Sequence, residues 1–350
     1  MAKRNNGFLE KVLEEYGDDV LLRKREEAFP VISTGSLAID VSTGIGGIPL
    51  GRVTEIYGPE GGGKTTICLQ ICRNALALGY KALYIDVENS LDLGYTSDIL
   101  KKEYGTDEFI VVQPESGEDS IEIAEAGIAS GFKLIVLDSI ASLSPEKELE
   151  DPFVKDHVGL SPRLTAKFLR RQMSNINKKE VAMVVTNQIR ANIGSYLQGD
   201  LTTPGGYALR HYTSLRIFLV QLGASSSIKD DNEKEVGRPI KFIIKKNKLS
   251  IPYRTATTNV IYGKGTDYTR DALAFATLLG VVKTRGSYYT FEEETIGLGM
   301  VKSIIALGEN QELLDKIVKS CYNAIGMGLP LYGIGDVREE VSTEEIPENE

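Results

Sequence analysis

Apolar and polar positions alternate along this chain in blocks whose lengths predict strands and helices in turn. Short apolar runs at 53–57, 82–87, 109–113, 134–138 and 181–187 are separated by helix-length segments. That order predicts a mostly parallel sheet with helices on both faces, an α/β architecture. The runs at 214–222, 239–245 and 257–262 lie closer together and predict hairpin-like additions at one edge. Beyond Thr266 the pattern changes to helix over 270–279, short strands around 288–291 and helix again over 311–325, a small α+β C-terminal unit. Ahead of the core, 7–27 carries Phe8, Leu9, Val12 and Leu13 on one side of an amphipathic helical region. The extended piece that follows holds Pro30, which suits an edge strand. Such an arm either packs on its own domain or reaches a neighbouring subunit. The divisions expected are an oligomerisation arm at 1–33, a core at 34–265, a small domain at 266–335 and an acidic tail at 336–350.

The junction between the strand at 53–57 and the apolar run that starts at Ile67 carries the most specific chemistry. Residues 58–66 read GPEGGGKTT, which satisfies the phosphate-loop pattern at Gly58, Gly63, Lys64 and Thr65. The backbone of Gly58, Pro59, Glu60, Gly61, Gly62 and Gly63 is expected to curl its amides around phosphates, with the following helix aiming its positive end at them. Lys64 is expected to reach the β and γ phosphates, Thr65 to hold Mg²⁺, and Thr66 to complete the loop. The chain therefore reads as a binder of a nucleoside triphosphate.

Other strand ends supply the partners such a loop needs. The run 134–138 ends in Asp138, a Walker B pattern, placing a carboxylate where it can bind Mg²⁺. The run 82–88 reads ALYIDVE, and Glu88 is the expected base that orients and deprotonates the attacking water, with Asp86 its competitor. The strand at 184–188 ends in the amides Asn187 and Gln188. A neutral amide beside the γ-phosphate senses it by hydrogen bonding without altering charge. Directly afterwards, 190–206 is a long glycine-containing segment without period, a functional loop by its length.

Composition adds two points. Three cysteines without metal-type spacing, and no N-terminal apolar stretch, predict a reduced, cytoplasmic protein. Cys68 and Cys72, four apart on the loop helix, are expected to face the core. The net charge of −9 argues against nucleic acid only in sum. Residues 336–350 carry a net −6, so the rest of the chain carries only −3, and Lys241, Lys245, Lys246 and Lys248 form a local basic cluster.

Together these motifs resemble the bacterial RecA recombinase family, from about Leu22 to Gly333. The resemblance is carried by STGSLAID (33–40), GIPLGRVTEIYGPEGGGKTT (47–66), YIDVENSLD (84–92), LDSIASL (137–143), NQIR (187–190) and KKNKLSIPY (245–253). It implies a RecA-type P-loop ATPase core and assembly with ATP and Mg²⁺ as a helical filament on single-stranded DNA. It also implies homologous pairing with duplex DNA, strand exchange, and roles in recombination, repair and the SOS response. By the same resemblance Glu88 is the catalytic base and Gln188 the γ-phosphate sensor. Tyr95 stacks on adenine with Asp92 beside it, and Tyr262 joins the ATP site. Lys246 and Lys248 match the lysines that reach the γ-phosphate from the adjacent subunit. Arg163, Arg170 and Arg190 match DNA-facing arginines of the family. Two DNA loops correspond to 150–160 and 191–206, with Val158 and Ile193 where the family inserts apolar side chains between bases, and Gly205 and Gly206 closing the second.

The chain departs from the family at several points. Tyr207 stands where asparagine is usual, Leu197 replaces a common aromatic, and Ala191-Asn192 alters the second loop's polar start. In the C-terminal unit the basic GQGK signature becomes Gly297-Leu298-Gly299-Met300, preceded by the acidic 292–295, with Lys283, Arg285 and Lys302 as compensating cations. These features suit a divergent bacterial or bacteriophage-encoded member. The competing expectation is a ring-forming helicase or clock-type ATPase of the same fold. A third expectation is non-enzymatic, a filament serving mainly as a scaffold that promotes self-cleavage of a repressor partner, a role that need not exclude strand exchange.

Overall fold

The computed structural model describes residues 29–146, 160–191, 201–223, 227–229 and 233–325. The amphipathic arm at 7–27, the loop residues Val158 and Ile193, Leu197 and the acidic tail lie outside the described residues.

A ten-stranded sheet forms the centre. Its parallel part is built from β3 (Arg52–Gly58), β4 (Ala82–Asp86), β5 (Phe109–Val112), β6 (Leu134–Asp138), β7 (Ala182–Gln188) and β10 (Leu215–Gln221), in the order β10-β3-β7-β6-β4-β5. Helices α2 (Lys64–Ala77) and α3 (Leu93–Leu100) cross one face, α4 (Gly117–Ala129) and α5 (Leu160–Lys178) the other. Strands β4, β6 and β7 are buried almost throughout, as a sheet covered on both faces requires. Cys68 and Cys72 are buried in one of the two resulting cores, as the sequence predicts.

Beyond β10 the sheet turns antiparallel through β12 (Glu235–Asn247), β13 (Thr255–Ile261) and β14 (Gly265–Thr266), with β11 (Ile228–Lys229) against β12. One expectation needs correcting: β10 itself is parallel to β3, so only β12 onward forms the added edge. β12 is also longer than its apolar run suggests. Pro239 lies one residue past the last β10 pair, Gln221↔Ile240, where a missing N–H leaves no ladder bond broken on that side.

Outside the sheet, β1 (Val31–Ile32) pairs antiparallel with β2 (Ile48–Pro49). Between them lies α1 (Leu37–Ser42), and here the STGSLAID motif finds its physical role. Asp40 on α1 is fully buried and accepts hydrogen bonds from Ser33 Oγ at 2.5 Å, Thr34 N at 2.9 Å and Thr34 Oγ1 at 2.7 Å. Short strands β8 (Arg190–Ala191) and β9 (Leu201–Thr202) pair at the two ends of the second loop, followed by α6 (Gly206–Tyr212). The C-terminal part holds α7 (Tyr268–Leu278), the three-stranded sheet of β15 (Lys283–Arg285), β16 (Tyr288–Phe291) and β17 (Glu294–Leu298), then α8 (Gly299–Glu309) and α9 (Gln311–Ala324). Its apolar core also takes in Leu37 and Val41 from α1. Side-chain caps start several of these helices: Asp92, Ser116, Asp267 and Asn310 each accept from an amide three residues on.

Candidate functional site

Parallel register brings the carboxyl ends of four strands to one place. Gly58 of β3 lies opposite Gln188 of β7, and Asp86 of β4 opposite Asp138 of β6. Ligands of open parallel sheets bind outside these ends. The loop after β3 turns on Gly63, whose φ is 81° and whose missing Cβ would lie 2.9 Å from Ile240 Cδ1. Gly58 is equally confined, its missing Cβ falling 2.7 Å from the Leu219 carbonyl. Gly63 caps α2 without a side-chain hydrogen bond, so the first amides of this helix remain open to an anion.

Lys64 folds back over the loop and donates to the carbonyls of Pro59 at 2.9 Å and Gly58 at 3.4 Å. Burial lowers its pKa, opposed by Asp138 and Glu88. Thr65 donates its hydroxyl to Asp138 Oδ2 at 2.9 Å. Asp138 is held by two further hydroxyls, Tyr84 at 2.5 Å on Oδ2 and Thr186 on Oδ1. The Tyr84 phenol is fully buried, and burial first, then the Asp138 charge, pushes its pKa far up. Tyr84 therefore stays a proton donor to the carboxylate.

The two candidate bases sit in different surroundings. Asp86 is almost fully buried and accepts from Leu91 N at 3.0 Å, Ser90 N at 3.3 Å and Gln113 Nε2 at 2.9 Å. Those bonds tie it to the turn after β4. Glu88 lines the cavity instead. Its Oε1 accepts from Ser139, from Ser142 at 3.3 Å and from Gln188 Nε2 at 3.1 Å.

The cavity above the loop measures about 530 Å³ and brings together Glu60, Gly61, Gly63, Lys64, Thr65 and Thr66 with Glu88, Asp92, Tyr95, Asp138, Gln188 and Tyr262. Asp92 caps α3 by accepting from Tyr95 N at 2.7 Å, and the Tyr95 hydroxyl meets Thr66 Oγ1 at 2.6 Å. Tyr262 donates to Glu235 at 2.5 Å, which also receives Arg238 at 2.5 Å. Gln221 and Arg238 line the same cavity, and no sequence motif points to them.

Lys246 and Lys248 lie apart from the cavity lining of their own chain. Lys246 donates to the Arg210 and His211 carbonyls, and Lys248 to His211 O at 2.9 Å, at the end of α6. Cations suit that negative helix end. Burial, then Lys248 and Arg216, brings the Lys246 pKa down to about 8. A buried network joins the same region to the phosphate-loop strand. Glu55, fully buried on β3, accepts from Arg216 of β10 and from Asn187 Nδ2 at 2.9 Å. Asn187 also donates to Pro204 O at 3.0 Å and accepts from Gln188 N at 3.0 Å. Sequence motifs do not single out this pair; charges inside two apolar strands, Glu55 and Arg216, are the signal that could have pointed to it.

Arg163 and Arg170 are exposed on α5, and Arg190 is exposed where the second loop begins. Gly205 and Gly206, with φ of 88° and 70°, close that loop. Among the described residues no helix is long and apolar enough to cross a membrane.

Comparison with known proteins finds similarity over most of the chain. The family model of the RecA N-terminal domain matches residues 5–267, and that of the RecA C-terminal domain matches 271–326. Protein RecA of Nocardia farcinica is 37% identical over 327 residues, covering 92% of this chain and 92% of that protein. Protein RecA of Streptococcus pneumoniae is 35% identical over 332 residues, covering 93% of this chain and 84% of that protein.

Proposed function

This chain belongs to the RecA family and is an ATP-dependent recombinase, and we propose that it hydrolyses ATP at a subunit interface while assembled as a helical filament on single-stranded DNA. The observation that carries this reading is the pair of contacts Thr65–Asp138 and Gln188–Glu88 in the lining of one cavity. They place the groups for binding a phosphate chain beside those for attacking it.

The open amides after Gly63 and the Lys64 ammonium hold the phosphates. Thr65 and Asp138 are hard oxygen donors and fit Mg²⁺ shared with phosphate oxygens. When bound, Mg²⁺ supplies charge neutralisation at the phosphates. Tyr84 and Thr186 fix the orientation of Asp138. Glu88 takes the proton of the attacking water as the bond to the γ-phosphoryl group breaks and ADP leaves. Gln188 senses the γ-phosphate and is bonded to that same base. Tyr95 faces the adenine, with Asp92 and Tyr262 at the mouth of the site.

Lys246 and Lys248 reach the γ-phosphate of the neighbouring subunit, which makes ATP a bond between subunits. Their position outside the chain's own cavity supports this role, as does their hold on the helix that follows the second DNA loop. Arg163, Arg170 and Arg190 neutralise DNA phosphates, with Val158 and Ile193 wedging between bases. Pairing with homologous duplex, assistance to repressor self-cleavage, cytoplasmic location and the divisions at 33, 265 and 335 complete the proposal.

Electron microscopy with ATP and single-stranded DNA tests the assembly. Open helical filaments are expected. Closed rings without filaments would favour the ring-helicase or clock-type reading, which the match to both RecA domains disfavours.

A further inference from the structure

Tyr207 is 89% exposed, more than any other large apolar or aromatic side chain among the described residues. Its exposure is not that of a loose segment. The two glycines before it are wedged between neighbours: a Cβ on Gly205 would lie 3.1 Å from Ile140, and one on Gly206 would lie 3.2 Å from Pro162. Two residues on, Leu209 is fully buried. Arg210 donates to the Thr202 hydroxyl, and the far end of α6 is held by Lys246 and Lys248. The backbone that carries the ring is thus gripped on both sides while the ring itself faces water.

The neighbouring surface is cationic. Gly206 abuts Pro162 in the first turn of α5, and α5 packs along α6. On α5, Thr165, Phe168, Leu169, Gln172 and Ile176 are buried, whereas Arg163, Lys167 and Arg170 are exposed. Those three follow i, i+4, i+7 spacing and share one face. Arg171, one residue further, is turned to Glu125 at 3.2 Å. A held aromatic ring beside a row of cations matches the two needs of a single strand: phosphate neutralisation and a surface for the bases.

We propose that Tyr207 is a base-stacking platform for single-stranded DNA, flanked by Arg163, Lys167 and Arg170. The inference rests on the reading that this chain binds single-stranded DNA. It adds a contact through the base face, which is indifferent to sequence because every base has one.

The chain contains no tryptophan, so Tyr207→Trp installs a sole indole reporter at an exposed position. With ATP and oligothymidylate, its fluorescence should be quenched at the stoichiometry at which a labelled oligonucleotide is bound. Tyr207→Ala should weaken that binding by about 5- to 150-fold, as loss of one stacked base implies, while Tyr207→Phe stays within about twofold. Because the ring is uncharged, Tyr207→Ala should leave the salt dependence of binding unchanged, whereas Arg163→Ala should lower its slope by about one. Normal DNA binding without quenching, or an unweakened Tyr207→Ala, overturns the platform and leaves the DNA reading standing. Quenching by ATP-driven assembly without DNA assigns the ring to a subunit contact and overturns it too. Failure of the unaltered protein to bind single-stranded DNA removes the underlying reading and the platform together.

Discussion

The Gln188 side-chain amide donates to the Glu88 carboxylate at 3.1 Å, in the cavity that the phosphate loop also lines. Residues a hundred positions apart are thus hydrogen-bonded directly, one proposed to sense the γ-phosphate and the other to take the proton of the attacking water. Gln188 leads into the segment 190–206, so on the proposed reading a shift of its amide toward phosphate would reach both the base and that segment. Asn187 reinforces the link by gripping Pro204, where that loop returns.

Glu88→Gln should retain ATP binding and lose hydrolysis by about 10²–10⁴-fold, since an amide keeps the shape and takes no proton. Filaments should then persist instead of turning over. Nucleotide binding and DNA-stimulated turnover measured side by side check this; normal turnover would move the base elsewhere. Asp86 is a poor substitute given its three committed hydrogen bonds.

Lys248→Ala should leave nucleotide binding by an isolated subunit largely intact and abolish DNA-stimulated hydrolysis. Mixed with Glu88→Gln protein, it should regain part of that activity, because some interfaces then pair an intact Glu88 with an intact Lys248. Co-assembled mixtures that stay inactive would contradict a shared site.

The loop, its lysine and the carboxylates at strand ends were legible in the sequence because each is a local pattern with one chemical purpose. What holds them was not. Tyr84 and Thr186 read as ordinary strand residues, and only the sheet register brings their hydroxyls to Asp138. No helix is predicted over 299–309, where α8 starts on Gly299 and carries Gly308 in its last turn, both poor helix formers. The anchoring of Lys246 and Lys248 on α6 depends on tertiary packing across more than thirty residues.

Arg216→Met should destabilise the fold by about 3–5 kcal/mol, because it strands the buried Glu55 carboxylate. Arg216 also lies over the Tyr57 ring at 4.5 Å, so methionine is chosen to keep some of that packing. The double variant with Glu55→Gln should recover much of the loss. Urea unfolding midpoints of the three proteins report the difference; a loss below about 1 kcal/mol would mean the carboxylate finds water or another donor.

Stability should also depend on Asp271, which accepts from Ser36 and from Thr258 at 2.7 Å. Burial is the main cause that raises its pKa to about 7. The folded state therefore keeps a proton that the unfolded chain releases near the ordinary value of about 3.9. The resulting stabilisation is complete below that value and lost as pH rises through about 7. Thermal melts should show the wild-type midpoint falling relative to Asp271→Asn between these limits; parallel curves would contradict the assignment.

ATP hydrolysis measured with and without single-stranded DNA, at fixed protein and Mg²⁺, tests the central claim most directly. If the site is completed only when DNA-bound subunits abut, the rate should be low alone and rise strongly with DNA until the strand is saturated. The same rate with and without DNA, at concentrations where DNA binding is independently observed, would contradict hydrolysis at an interface that DNA assembles.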